Sequence, residues 1–240
     1  MSDYRVLLIQ IRDADDPIGQ QEIGCFAAAL DCPESAIRVF DLLTTELTAS
    51  HLADCDMIVI GGSGRYSVTS DAPWMSKAIK SLQFLLESGK PTFASCWGFQ
   101  ALSRAAGGKV IHDLDNAELG THSVFLTEAG KQDPIFSQLP ESFLAYMGHE
   151  DRVSVLPPGT TLLATNSRVA QQAYRFDDRP VYCTQFHPEL TLPALHARIE
   201  AYPEYCERIA KIPFDVFCQQ CQPATDSESI LRRFTKQYLR

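Results

Sequence analysis

One cysteine stands where a chain can turn it into a nucleophile. In Ala94-Ser95-Cys96-Trp97-Gly98-Phe99-Gln100 a short apolar run ends, Cys96 follows, and an amphipathic stretch begins. A cysteine between a buried strand and a helix has the strand–turn–helix context of a nucleophile elbow. At a helix N-terminus the unpaired N–H groups and the helix dipole favour thiolate. The N–H of Trp97 points toward where an oxyanion would form, and Gly98 lets the helix pass close to the strand. A free cysteine is also a common small core residue. This segment alone therefore leaves a packed thiol and a nucleophile both open.

The second element is Gln185-Phe186-His187-Pro188-Glu189. Pro188 disfavours the helical region for His187 and predicts an extended chain there. In an extended chain residues two apart point the same way, so Glu189 can accept from one imidazole nitrogen and leave the other for a thiol proton. By themselves His187 and Glu189 read as a surface pair at a strand end. With the elbow cysteine they complete the parts of a thiol triad. The third element, Gly61-Gly62-Ser63-Gly64-Arg65, follows an apolar run. Its bare backbone N–H groups can face an anionic oxygen, as half of an oxyanion hole or as a phosphate cradle. The dinucleotide pattern is degenerate here, because Ser67 stands where a third glycine belongs. A plain flexible turn is the remaining reading.

The elements that must position these residues are legible from periodicity. Val6–Ile11, Ala36–Phe40, Met57–Ile60 and Pro91–Ser95 read as strands, and Ile18–Leu30 and Trp97–Ala106 as helices, the latter stopped by Gly107-Gly108. A third helix is predicted to start at an Asp71 cap with Pro73 in its first turn, to bury Met75, Ile79, Leu82, Leu85 and Leu86, and to end at Gly89. This β-α-β-α order predicts a mostly parallel sheet covered by helices on both faces. The second half is strand-rich, around Thr121–Leu126, Phe143–Met147, Thr161–Ala164, Ala170–Phe176 and Pro180–Phe186, with a hairpin turn at Asp177-Asp178. From Leu192 the pattern turns helical, and Asp226-Ser227-Glu228 opens a last helix carrying Ile230, Leu231, Phe234 and Tyr238 on one side.

The 240 residues carry a formal charge of −9 and 45% apolar side chains. This argues for a packed globular chain and against a nucleic-acid binder, which needs a basic surface. No apolar run is long enough to span a membrane, and Val6-Leu7-Leu8-Ile9 after Met1–Arg5 is too short for a secretory signal. Eight scattered cysteines fall short of a disulfide framework, so a cytoplasmic protein with reduced thiols is expected.

Taken together, the elbow, the Gln185–Glu189 segment and the Gly61-Gly62-Ser63 strand end resemble the G-x-C-x-G-x-Q, Q-F-H-P-E and G-G-P motifs of class I, triad-type glutamine amidotransferases. The resemblance covers about residues 4–200. Leu126–Gly130 and Tyr146–Asp151 are similar to stand-alone members like the amidotransferase domain of GMP synthase. The resemblance implies a three-layer α/β fold of flavodoxin-like type, with residues 1–205 as the amidotransferase domain and 206–240 as a helical C-terminal extension. It implies Cys96, His187 and Glu189 as catalytic residues, and the N–H groups of Gly62 and Trp97 as the oxyanion hole. It also implies Gln100, Gly61 and His149 as substrate-binding residues. Glutamine would be hydrolysed through a thioester to glutamate and ammonia, with no cofactor and no metal. The expected partners are a small-molecule substrate and a synthase subunit on a separate chain, with no nucleic acid and no membrane.

Three positions depart from the family pattern: Ala94 for its glycine, Ser63 for its proline and Phe99 for a common histidine. None removes a triad member, but Ser63 leaves the oxyanion loop less rigid, so that the glutaminase could stay silent until a partner docks. Cys218-Gln219-Gln220-Cys221, with Cys206 and His196, hints at metal but lacks a second paired motif and reads better as core. Arg232-Arg233 reads as a solvated face. Two other functions use the same parts: a free-standing hydrolase of γ-glutamyl peptides, and a catalytically idle regulatory domain.

Overall fold

The computed structural model of the chain describes residues 4–239, so the N-terminal Met1–Asp3 and the final Arg240 lie outside the described residues. Along the chain run β1 (Val6–Gln10), α1 (Ile18–Leu30), β2 (Ile37–Asp41), α2 (Ala49–Ala53), β3 (Met57–Ile60), α3 (Met75–Glu87), β4 (Thr92–Ser95), α4 (Trp97–Ala105) and β5 (Lys109–His112). They are followed by β6 (Glu118–Leu126), β7 (Ser142–His149), β8 (Asp151–Val155), β9 (Thr160–Thr165), β10 (Ala173–Phe176) and β11 (Val181–Thr184). The chain closes with α5 (Leu192–Ala201), α6 (Phe214–Gln220), α7 (Thr225–Glu228) and α8 (Ile230–Tyr238).

Nine described strands form one sheet in the order β2-β1-β3-β4-β11-β10-β9-β6-β7. From β2 to β11 every neighbour is parallel; from β11 onward the pairings are antiparallel. The parallel strands are apolar on both faces because helices cover both. Leu7, Ile9, Ile58 and Ile60 enter the core under α3 and α4. Their neighbours Val6, Leu8, Met57, Val59 and Phe93 enter the opposite core with Phe26 of α1 and Ile230, Leu231 and Phe234 of α8. The last helix is thus part of a main core, with Phe234 edge-on to Phe93 at 5.5 Å.

Helix α1 and strand β3 form with the expected bounds, and the β10–β11 hairpin turns at Asp177-Asp178. Two features differ. Helix α3 starts at Met75 and not at Asp71, because the Met75 N–H closes a turn onto Ala72. Trp74 there stacks on Trp97 at 6.2 Å and stands edge-on to Tyr66 at 5.4 Å. Aromatic packing outweighs the local cap signal. The strands β5 and β8 pair in a separate ribbon that the periodicity does not predict; β8 delivers Asp151 to the pocket described below.

Gly98 sits where α4 crosses the end of β3. A Cβ there would stand 2.8 Å from Ile60 Cβ and 2.9 Å from the Ile60 carbonyl oxygen. Gly98→Ala is therefore expected to lower stability by about 1–3 kcal/mol despite alanine's better helix propensity. A denaturant midpoint equal to or above that of the parent protein would contradict this contact.

Candidate active site

Strands β3, β4 and β11 are neighbours in the parallel half of the sheet, and their C-terminal ends deliver three chain segments to one place. This edge is where open α/β sheets bind ligands. Strand β3 runs into Gly61–Gly64, β4 into Cys96, and β11 into the turn that carries His187.

Cys96 occupies φ +51°, ψ −103°, a region that glycine tolerates and a side chain does not. Such a backbone costs about 1–3 kcal/mol and persists only when its surroundings over-determine it. The surroundings are on hand. The Cys96 N–H donates to the Thr184 carbonyl at 2.8 Å, and the Gly98 N–H donates to the Gly61 carbonyl at 3.2 Å. Together they tie the elbow to both neighbouring strands. The thiol itself points to the Gly148 carbonyl at 3.6 Å.

His187 and Glu189 are joined by a hydrogen bond from Nδ1 to Oε1 of 2.6 Å. The pairing does not use the extended chain that Pro188 predicts. Residues 187–190 form a turn, closed by the Leu190 N–H on the His187 carbonyl at 3.3 Å. The proline sits inside that turn, which suits its fixed φ. Burial disfavours a charged His187, but the Glu189 carboxylate and the Cys96 sulfur outweigh it and raise its pKa to about 9. Burial likewise opposes a charged Glu189, and His187 and Arg198 overcome it, so its pKa is lowered. Arg198 is a member of the site that the motifs do not point to. It is buried, approaches Glu189 Oε1 at 3.5 Å and donates to Gln21 at 3.2 Å. Its legible signal is an arginine at helical spacing between Leu195 and Tyr202 on an otherwise apolar face.

The glycines before Ser63 do different work. A Cβ on Gly62 would stand 2.9 Å from His187 Cε1 and 3.7 Å from Cys96 Cβ, so Gly62 lies between the two. Gly61, expected to bind substrate, instead faces Glu22, whose carboxylate oxygen a Cβ would meet at 2.4 Å. It lies outside the cavities around Cys96.

Two other expected substrate contacts line the pocket with their side-chain nitrogens already engaged. Gln100 donates to the Asp151 carbonyl at 2.7 Å and to Gln185 at 3.2 Å. His149 Nδ1 lies 3.1 Å from the Asp151 carbonyl oxygen and its Nε2 3.1 Å from Glu118 Oε2. Both side chains brace the pocket wall rather than project free donors into it. Glu118 is the buried hub of this wall and also accepts from Gln172 and Asn166, each at 2.7 Å. Burial raises the Glu118 pKa, but His149 outweighs it and holds the carboxyl below its usual range.

Cys96 is shared by two cavities. The outer one, of about 240 Å3, is lined by Trp97, Gln100, Arg65, Glu150, Asp151 and Arg208 among others. The inner one, of about 30 Å3, touches Gly62, His187, Met147, Leu195 and Arg198. Burial raises the pKa of each of the other seven cysteines, up to about 12 at Cys183. Cys206, Cys218 and Cys221 pack in an apolar cluster with Phe217 and Leu119. Among the described residues no group of His, Cys, Asp and Glu gathers that could hold a metal ion, and no helix is long and apolar enough to cross a membrane.

Residues 32–200 match the sequence model of the family described as glutamine amidotransferase class-I. A glutamine-hydrolyzing GMP synthase from Thermosipho africanus is 30% identical over 155 residues, which is 65% of this chain and 28% of that protein. A separate subunit of the glutamine-hydrolyzing GMP synthase from Sulfurisphaera tokodaii is 32% identical over 149 residues, covering 62% of this chain and 75% of the subunit. The chain thus spans less than a third of the full-length synthase it matches and about three quarters of the separate subunit. Among solved structures, a glutamine amidotransferase from Thermotoga maritima superposes with a TM-score of 0.76 at 18% identity, over 100% of this chain and 99% of that one. One from Methylobacillus flagellatus superposes at 0.71 and 20% identity, over 97% and 94%. These last two likenesses establish the fold.

Proposed function

Since the chain belongs to the class-I glutamine amidotransferases, we propose that it hydrolyses the side-chain amide of glutamine with Cys96 as nucleophile, His187 as acid and base, and Glu189 as the group that orients His187. The observation that carries this reading is the convergence of a strained Cys96, the His187–Glu189 pair and the bare Gly62 backbone at three adjacent strand ends.

The chemistry follows from that arrangement. His187 takes the thiol proton through Nε2 while Nδ1 stays on Glu189. The sulfur attacks the amide carbon, and the resulting oxyanion is held by the N–H groups of Gly62 and Trp97. The carbon–nitrogen bond breaks as His187 returns the proton to the leaving ammonia, leaving a γ-glutamyl thioester on Cys96. Water, deprotonated by His187, then attacks the thioester, and glutamate departs with the thiol restored. The outer cavity carries both signs of charge, Arg65 and Arg208 against Glu150 and Glu204, which suits a zwitterionic amino acid.

On this reading residues 1–205 are the amidotransferase unit and 206–240 its helical extension. The likeness to a separate subunit of a GMP synthase supports a synthase on another chain as the recipient of the ammonia. Eight unpaired cysteines support a reducing compartment such as the cytoplasm.

The test is to incubate the purified chain with glutamine, and in parallel with a γ-glutamyl dipeptide, and to measure glutamate and ammonia. Glutamine is expected to be hydrolysed, and an electrophilic glutamine analogue is expected to label Cys96. Cleavage of the dipeptide alone would replace this function with that of a γ-glutamyl peptide hydrolase. No turnover and no labelling of Cys96, with or without a co-purified partner, would leave an idle domain.

A further inference from the structure

The loop after β3, Gly62-Ser63-Gly64, sets two glycines around a serine. Such a backbone samples many conformations unless something holds it. Ser63 Oγ accepts from the Tyr66 N–H at 3.1 Å, and Gly64 is held from the chain after residue 200, the last one matched to the family.

Tyr202 lies with its ring against Gly64. A Cβ on Gly64 would meet the ring carbons Cζ at 2.3 Å, Cε2 at 2.5 Å and Cε1 at 2.8 Å. The far end of that ring is anchored in turn. The Tyr202 hydroxyl donates to Asp16 at 2.6 Å and accepts from Arg12 at 2.9 Å. Arg12 is buried and pairs with Glu22 at 2.9 Å and Asp16 at 3.1 Å. A ring fixed at its buried hydroxyl is a rigid stop, since moving it would leave the hydroxyl without its Asp16 and Arg12 partners.

Tyr205, one turn on, donates from its hydroxyl to the Gly64 carbonyl at 3.3 Å and lines both cavities that meet at Cys96. Burial and then the nearby Cys96 sulfur raise its pKa, so the phenol stays protonated and remains a donor. The loop is therefore pinned at Gly64 from two sides, two residues from the N–H assigned to the oxyanion.

We infer that Tyr202 and Tyr205 are positioning residues, which hold Gly62-Ser63-Gly64 in the conformation that presents the Gly62 N–H to the oxyanion. The residues just after α5 supply this restraint, and no second protein is needed for it. The inference rests on Cys96 being the nucleophile for glutamine, and its test separates the two claims.

The chain alone is compared with Tyr205→Phe, which removes one oxygen, and Tyr202→Ala, which removes the ring. Two rates are read: glutamine hydrolysis, which forms an oxyanion, and alkylation of Cys96 by iodoacetamide, which forms none. Tyr205→Phe is expected to lower kcat about tenfold and Tyr202→Ala about a hundredfold, with KM and the alkylation rate each within about twofold of the parent. If the parent chain hydrolyses glutamine and Tyr205→Phe matches its kcat, the positioning role is overturned. It is equally overturned if alkylation falls in step with kcat in Tyr205→Phe, or if the parent hydrolyses glutamine only when a second protein is added. If Cys96→Ser leaves hydrolysis intact, the nucleophile assignment itself fails.

Discussion

Replacing Cys96 by alanine is expected to lower glutamine turnover by about 10⁴-fold or more, because removing the nucleophile of a triad leaves only binding and oxyanion stabilisation. The same position makes a second, independent prediction about stability. Its φ of +51° is strained for any residue with a Cβ. Cys96→Gly is therefore expected to be as inactive as Cys96→Ala but more stable by about 1 kcal/mol, or about 2–4 °C in melting temperature for a chain of this size. The comparison between glycine and alanine matters, since both lack the sulfur and differ only in the Cβ. Turnover within a few-fold of the parent in Cys96→Ala would move the nucleophile elsewhere. Equal melting temperatures for the two variants would remove the claim that the elbow stores strain.

Glu189→Gln is the second large effect. Glutamine keeps the shape of the side chain but removes the charge that favours imidazolium at His187, and it no longer fixes the proton on Nδ1. A fall in kcat of about 10²–10⁴-fold is expected. The pH dependence has a definite sign. His187 has its pKa raised to about 9 in the folded chain, above its ordinary value. A raised basic group stabilises the fold fully below its ordinary pKa, and that contribution is lost as pH rises through about 9. The variant lacks most of it, so the gap in melting temperature between parent and variant is expected to narrow as pH is raised from about 6 to about 10. The gap does not close, because Arg198 still loses its buried carboxylate partner. A gap that widens with pH, or a kcat within a few-fold of the parent, would show that Glu189 does not stabilise the charged imidazole.

The parts that carry chemistry are legible because chemistry is written in residue types at short range. An elbow cysteine followed by glycine needs only the local rule that a strand must turn sharply into a helix. The apolar runs of β1, β3 and β4 announce strands buried on both faces, since each residue of such a run meets a core. The His187–Glu189 pair is legible for a partly wrong reason. Spacing two apart suggests an extended chain, and the pair in fact meets across a turn. The local sequence admits both geometries, and the packing of His187 against the Tyr146 carbonyl, at 3.0 Å from its N–H, selects one.

By itself, then, the sequence singled out Cys96, His187 and Glu189 as the candidates for chemistry, in that order along the chain, and a mostly parallel α/β sheet to carry them. Only the tertiary structure decided which polar groups face the pocket and which brace it. Gln100 and His149 line the cavity with their side-chain nitrogens engaged by Asp151, Gln185 and Glu118, and Gly61 lies against Glu22 outside it. It also decided that Arg12, Arg198, Tyr202 and Tyr205 surround the site. Arg12 meets Tyr202, Arg198 meets Gln21 and Tyr205 meets Gly64 across long stretches of chain. No local periodicity encodes such contacts, because they exist only once the sheet has brought its strand ends and the C-terminal helices together. The physical reason is that a buried polar atom must find a partner wherever the fold offers one, and the fold makes that offer only after the chain has closed.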